Sequence, residues 1–198
     1  MGLTERTTLV SSNNADDIER GPGRPSHWFT THQNELLGTK SLGPTLDLAC
    51  GRGRHSLAAA ALGLETIALD RNAESLAELA TQADSPGRLE TRTLDLEGDE
   101  APDLGTACFG AVLVFRYLHR PLFPWIESLL APGGVLLYET FTTAQRPLGW
   151  GPSRDDFLFQ PGELATSFPA LETERYEEGL SKDPRAAQTA RLFARKPR

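Results

Sequence analysis

Between Thr45 and Phe141 short apolar runs alternate with helical segments, and this rhythm constrains the fold more than any other feature of the chain. Thr45-Leu46-Asp47-Leu48-Ala49-Cys50 reads as a strand stopped by Gly51-Arg52-Gly53. Arg54 to Leu62 follows, with Leu57, the run Ala58–Ala61 and then Gly63. Alanine has the best helix propensity, and its small side chain lets a helix lie close to a sheet. Glu65 to Asp70 is a second strand, and Asn72 is placed to cap a helix that carries Ala73, Leu76, Ala77, Ala80 and Ala83 on one face. Arg88 to Leu94 alternates weakly and ends at Asp95. Phe109 to Phe115 is dense enough in apolar residues for a strand buried on both faces. Pro121 to Leu130 is helical, Ala131-Pro132-Gly133-Gly134 a turn, and Val135 to Phe141 the fifth strand. This order predicts a doubly wound α/β sheet with right-handed crossovers.

The flanks are less regular. Residues 1–24 are polar, with Ser11-Ser12-Asn13-Asn14 and Gly21-Pro22-Gly23, and are expected to form a flexible arm ahead of a single domain at 25–198. Pro25 to Leu37 gives a patchy helix with Gly38 as its C′ residue. A Gly/Pro/Arg-rich loop spans Ala144 to Gln160, and Pro161-Gly162-Glu163-Leu164 is expected to open a helix. Leu171 to Glu178 and Gln188 to Arg195 both alternate, so the sheet should end in antiparallel strands.

Composition removes several functions. With 20 Lys+Arg against 27 Asp+Glu, the net charge of −7 argues against a general binder of nucleic acid or acidic membranes. No apolar run approaches the roughly 20 residues needed to span a bilayer, and the N-terminus lacks a basic-then-apolar signal, so a cytoplasmic protein is expected. Cys50 and Cys108 are too few for a disulfide framework, and no metal-ligand cluster is visible.

In sheets of this kind ligands bind beyond the C-terminal strand ends, where the strand order reverses. Four polar signals fall there: Asp47 to Arg54, Asp70, Asp95, and Phe115 to Arg120. Gly51 and Gly53 let the backbone approach a ligand closely. Asp70 ends the second strand, where a carboxylate can accept both ribose hydroxyls. The turn reads Gly51-x-Gly53-x-x-Ser56, so the third glycine of a dinucleotide fingerprint is missing. Asp47 ahead of it is poor company for a pyrophosphate and suits a cofactor bearing an ammonium and a sulfonium.

Leu46-Asp47-Leu48-Ala49-Cys50-Gly51-Arg52-Gly53-Arg54-His55 resembles the first motif of the Rossmann-like S-adenosylmethionine-dependent methyltransferases, with Ala49 in place of its first glycine. Asp70 matches that family's ribose acid, and Asp95-Leu96 its adenine motif. The chain is further similar to the small bacterial methyltransferases of the tellurite-resistance type. Phe115 to Pro121, Pro132-Gly133-Gly134, Tyr138 to Phe141 and Asp155 to Leu164 carry this likeness, although Arg116 stands where that group has an Asn or similar residue. The resemblance implies a three-layer sandwich around a mostly parallel seven-stranded sheet with an antiparallel C-terminal strand. It implies S-adenosylmethionine as cofactor, held by Asp47, Ala49, Cys50, Gly51, Gly53, Asp70, Arg71, Asp95, Leu96 and Phe115. The substrates it implies are small molecules (thiols or chalcogen oxyanions), and the protein would be a monomer or homodimer.

After the fourth strand stand the candidate catalytic residues Arg116, Tyr117, His119 and Arg120. His119 is either a general base or a structural histidine bonded to a loop carbonyl. Arg116 or Arg120 would attract an anionic acceptor. His55 reads as a helix N-terminal residue satisfied locally, and Trp28 as either a cofactor cover or a helix contact. Tyr138, Glu139 and Thr140 could line the acceptor pocket, and Trp150, Arg154 and Phe159 lie in a candidate lid. Two other functions fit the pattern less well: a nicotinamide-dependent oxidoreductase and a non-catalytic S-adenosylmethionine-binding module.

Overall fold

A computed structural model describes residues 23–82, 88–98, 102–182 and 185–198. Most of the expected arm, residues 1–22, therefore lies outside the described residues, as does Ala83. Five helices are used below: α1 (His27–Thr31), α2 (Gln33–Gly38), α3 (Arg54–Ala61), α4 (Ala73–Gln82) and α5 (Phe123–Leu129). The strands are β1 (Thr45–Leu48), β2 (Thr66–Asp70), β3 (Leu89–Thr93), β4 (Phe109–Phe115), β5 (Leu130–Phe141), β6 (Glu172–Ser181) and β7 (Ala187–Arg195). All seven strands form one sheet in the order β3-β2-β1-β4-β5-β7-β6. The first five are parallel, and β7 runs antiparallel to both β5 and β6.

The chain lays β1, β2 and β3 outward in one direction, then returns to place β4 and β5 on the other side of β1. The order reverses between β1 and β4, which sets the crevice beyond their C-terminal ends. Every residue of β4 is buried, as its apolar density requires of a central strand. One core lies between the sheet and α5, with Leu46, Val112, Ile126 and Leu129. A second lies under α1 to α3 on the other face, with Trp28, Phe29, Leu36, Ala59, Leu113 and Leu137.

Several local expectations are corrected. The N-terminal helix is broken in two at His32, and Gly38 is the last helical residue rather than its C′ residue. In α4 the buried face is Leu76 and Leu79; Ala73, Ala77 and Ala80 are exposed. Two leucines at i and i+3 offer far more apolar area than three alanines, so they decide which side turns inward. Asn72 does cap this helix, its side-chain oxygen accepting from Ser75 N at 3.0 Å. The turn expected at Ala131–Gly134 is absorbed into β5, with a register irregularity between Phe109 and Ala111 on the neighbouring strand. Pro161 opens no α-helix; a 3-10 turn at Leu164–Thr166 follows it instead. Among the described residues no helix is long and apolar enough to cross a membrane.

Candidate active site

The β1–α3 turn is built on left-handed backbone at Ala49 (φ 51°), Gly51 (φ 57°) and Gly53 (φ 75°). Packing adds to this at Gly53, because a Cβ there would stand 2.4 Å from Leu79 Cδ1 and the buried leucine would have to shift. At Gly51 a Cβ would meet nothing within 4 Å, so this part of the turn borders open space. Asp70 braces the turn: its Oδ2 accepts from Gly51 N at 2.7 Å and its Oδ1 from Asn72 N at 2.9 Å. Each oxygen keeps a further lone pair for a ligand hydroxyl.

Two cavities open at this crevice, and Ala49 lines both. The smaller, about 200 Å³, is also lined by Asp70, Arg71, Leu94, Asp95, Leu96, Glu97 and Tyr117. Asp95 is ordered by its own turn, with Oδ1 accepting from Glu97 N at 2.9 Å. The Tyr117 hydroxyl is buried with no partner among the described residues. Burial pushes this phenol up, and Glu97 and Asp95 add to the effect.

The larger cavity, about 470 Å³, holds four arginines (Arg52, Arg54, Arg116 and Arg185) against one acid, Asp47. Cys50, Gly51, His55, Phe115, Phe141 and Trp150 complete the wall. Asp47 is buried on β1 and its Oδ2 accepts from the Ser56 hydroxyl at 2.5 Å. Burial pushes its carboxyl up to about 7, against the hydrogen bonds from Ser56 and the charge of Arg54, which pull it down. Burial also pushes the Cys50 thiol up, with Asp47 and Asp70 adding to it, so nothing activates it as a nucleophile.

His55 is not satisfied locally as expected. Its Nε2 accepts from the backbone N of Ser26 at 3.1 Å, and its ring stacks on Phe115 at 3.7 Å. Burial, followed by Arg54 and Arg116, holds its pKa well below the usual imidazole range, so it is neutral. No local sequence signal marks a partner so distant in the chain. Trp28 is a helix contact and not a cofactor cover, since its indole N–H donates to Leu192 O at 3.2 Å from within the core.

The candidate catalytic residues separate. Arg116 lines the larger cavity and Tyr117 the smaller, so Tyr117 stands on the Asp70–Asp95 side rather than beside an acceptor. His119 lines neither; its carbonyl starts a 3-10 turn by accepting from Leu122 N at 3.1 Å. Arg120 is committed to the loop after β5 and is not free to attract an anion. Its Nε and Nη2 bond the two Glu163 carboxylate oxygens at 2.5 and 2.9 Å. Its remaining bonds go to the carbonyls of Asp156 at 3.2 Å and Leu158 at 2.9 Å. Tyr138 is equally structural, its hydroxyl donating to Tyr117 O at 2.9 Å. Of the lid residues only Trp150 reaches the cavity; Phe159 is fully buried in the core and Arg154 is exposed, pairing with Asp156. Phe141 and Arg185 are lining residues that sequence reasoning missed.

The residues fit S-adenosylmethionine. An acidic pocket with an orphaned hydroxyl suits a nucleoside, and a buried acid beyond Ala49 suits an ammonium. Solved structures of like fold include a SAM-dependent methyltransferase from Methanosarcina mazei, with a TM-score of 0.61 at 17% identity over 78% of this chain and 92% of that one. TehB from Haemophilus influenzae gives 0.64 at 20% identity, over 83% of this chain and 62% of that one. An S-adenosylmethionine-dependent methyltransferase from Mesorhizobium loti gives 0.62 at 18% identity, over 83% and 97%. No curated protein matches the sequence. The model of the tellurite resistance protein TehB family matches residues 28–191, so the chain belongs to the TehB family and is an S-adenosylmethionine-dependent methyltransferase of Rossmann-like fold.

Proposed function

We propose that the enzyme methylates a small anionic or readily ionised acceptor, a thiolate or an oxyanion, in the larger cavity. The observation that carries this reading is the imbalance of four arginines to one buried acid in that wall. When bound, S-adenosylmethionine supplies a methyl group on a sulfonium that is already an activated leaving group.

The chain's own residues then have four tasks. Asp70 and Asp95 hold the nucleoside end in the smaller cavity, with Arg71 and Leu96 beside them. Asp47, Cys50, Gly51, Gly53 and Phe115 shape the amino-acid end, and Arg52 or Arg54 meets its carboxylate. Arg116 is left on the acceptor side, while Phe141 and Trp150 help exclude water. Among the described lining residues none is well suited to general-base work on a hydroxyl or ammonium: burial and the neighbouring arginines make His55 a weak base whose Nε2 is already occupied, and Asp47 is buried and bonded to Ser56. An acceptor that arrives ionised needs no base.

The reading takes a small molecule as the only partner, with no nucleic acid or membrane, and a cytoplasmic monomer or homodimer. The test is methyl transfer from S-adenosylmethionine across a panel of thiols, alcohols and amines. The rate should follow the thiolate fraction of each thiol, with alcohols and amines inert. Equal transfer to alcohols would contradict it, and no transfer to any acceptor would leave only a cofactor-binding module.

A further inference from the structure

The far wall of the larger cavity holds an arrangement that binding the methyl donor does not require. Phe141 and Trp150 meet edge to face, with ring centroids 5.5 Å apart at 86°. Each carries a guanidinium on its face: Arg116 Cζ lies 4.3 Å from the Phe141 centroid and Arg185 Cζ 4.3 Å from that of Trp150. All four residues line the cavity. A guanidinium held over a ring can keep N–H groups free at its edge, which suits bidentate contact with a carboxylate-like group.

Among the described residues the Arg116 donors are not all spent. Arg116 Nη1 is buried with no partner among the described residues. The nearest carboxylate, Glu139, stands 3.7 Å from Nη2, which balances charge without forming a hydrogen bond. Burial pulls Arg116 below the ordinary guanidinium range; Glu139 opposes this and Arg54 adds to it. Arg116 is also held at φ 61°, an unfavourable conformation for a side-chain-bearing residue, with its N–H fixed on Glu139 O at 2.8 Å. Thr189, the ladder partner of Phe141, has a fully buried hydroxyl that also lacks a partner among the described residues. Arg120, four residues on, shows the contrast, with each of its side-chain nitrogens bonded.

Resting on the methyltransferase reading above, we propose that the acceptor is an organic molecule with an anionic head, a carboxylate or its equivalent, separate from its nucleophilic atom. Arg116 and Arg185 clamp that head, and the rings of Phe141 and Trp150 cover its apolar body. Arg52 and Arg54, on the glycine turn and the first turn of α3, are left for the donor's own carboxylate. With a thiol acceptor the balance is simple. The thiolate sulfur attacks the methyl carbon, the carbon–sulfonium bond breaks, and its electron pair stays on sulfur as S-adenosylhomocysteine. The product is a methyl thioether, and no proton moves.

The test uses the full chain saturated with S-adenosylhomocysteine, titrated with 4-mercaptobenzoate, thiophenol or selenite, alongside kcat/KM for the two thiols. 4-Mercaptobenzoate should bind at least ten-fold more tightly than thiophenol and lead it by a similar factor in kcat/KM. Arg116→Gln should collapse both ratios toward one, and Arg116→Lys should restore part of each. If Arg116→Gln does not fold, Arg185→Gln decides alone, because that residue is exposed and its side chain packs on the Trp150 ring rather than in the core. Equal binding of the two thiols, or a preference that survives these substitutions, overturns the clamp. Tight binding of selenite but not of 4-mercaptobenzoate overturns the organic acceptor in favour of a bare oxyanion. If the wild-type chain fails to bind S-adenosylhomocysteine, the methyltransferase reading itself falls, which is a distinct outcome read before any thiol is added.

Discussion

The two cavities that meet at Ala49 differ in the sign of their walls. The smaller presents Asp70, Asp95 and Glu97 with one arginine, and the larger presents four arginines with one acid. A sulfonium donor with a neutral nucleoside, an ammonium and a carboxylate can lie across such a boundary. A dinucleotide would bring its pyrophosphate to the glycine turn beside Asp47, where like charge is penalised. The difference teaches that the glycine turn alone does not choose the ligand. In the reading proposed above, Asp47 ahead of the turn does, through electrostatics that act at short range in buried surroundings.

The largest expected effect comes from breaking the boundary on its nucleoside side. Asp70→Ala removes the brace on Gly51 and the acceptors for a ribose, and should weaken S-adenosylhomocysteine binding by about 1–3 kcal/mol, as for lost hydrogen bonds to a charged group. Isothermal titration reads this directly, and unchanged affinity would remove Asp70 from the site.

The next probe is pH, acting on the one acid of the larger cavity. Asp47 has a raised pKa, so between about 4 and 7 the folded chain without ligand binds more protons at this site than the unfolded chain. Stability from this group is therefore greatest at low pH and falls as pH rises through that window. Affinity should move the other way, because an ionised Asp47 attracts the ammonium. S-Adenosylhomocysteine should bind about ten-fold more tightly at pH 7.5 than at pH 5.5, corresponding to about 1.4 kcal/mol. Asp47→Asn should flatten this dependence and raise the melting temperature of the unliganded protein at pH 8; a persistent slope would exclude Asp47 as its source.

Smaller effects sharpen the comparison. Arg120→Ala breaks a bidentate, partly exposed pair and two carbonyl bonds that pin residues 156–163. Solvent screening limits the cost to roughly 1 kcal/mol. The melting temperature should fall by a few degrees, with KM for the acceptor rising and S-adenosylhomocysteine affinity unchanged; a loss of that affinity would show that Arg120 serves the donor side. Tyr117→Phe removes an orphaned hydroxyl from the smaller cavity. S-Adenosylhomocysteine affinity should fall only about three-fold, corresponding to roughly 0.6 kcal/mol, without loss of stability. A change in acceptor KM instead would return Tyr117 to the acceptor side.

The residues we assign to the donor could be grouped from the sequence because their grouping is local. Asp47, the glycine turn, Asp70 and Asp95 sit at the ends of consecutive parallel strands, so recognising the strands places them together. The acceptor side could not, because it depends on contacts between distant segments. Arg120 is taken by Glu163, 43 residues away, and His55 is bonded by Ser26, 29 residues away, and neither distance shows in a local motif. Arg185 reaches the wall only because β7 returns antiparallel beside β5, a pairing whose register no short motif states. The helix expected at Pro161 failed for a related reason. The segment is short, and Glu163, which would have sat in its first turn, instead anchors Arg120 and Gln160 N.

The central claim is that one adenosyl donor lies across both cavities, and a crystal structure with S-adenosylhomocysteine tests it most directly. The expected density passes Ala49 with ribose hydroxyls on Asp70, the base beside Asp95 and Tyr117, and the amino-acid end toward Asp47 and Arg54. Density confined to the arginine-lined cavity, with Asp70 untouched, would contradict the account.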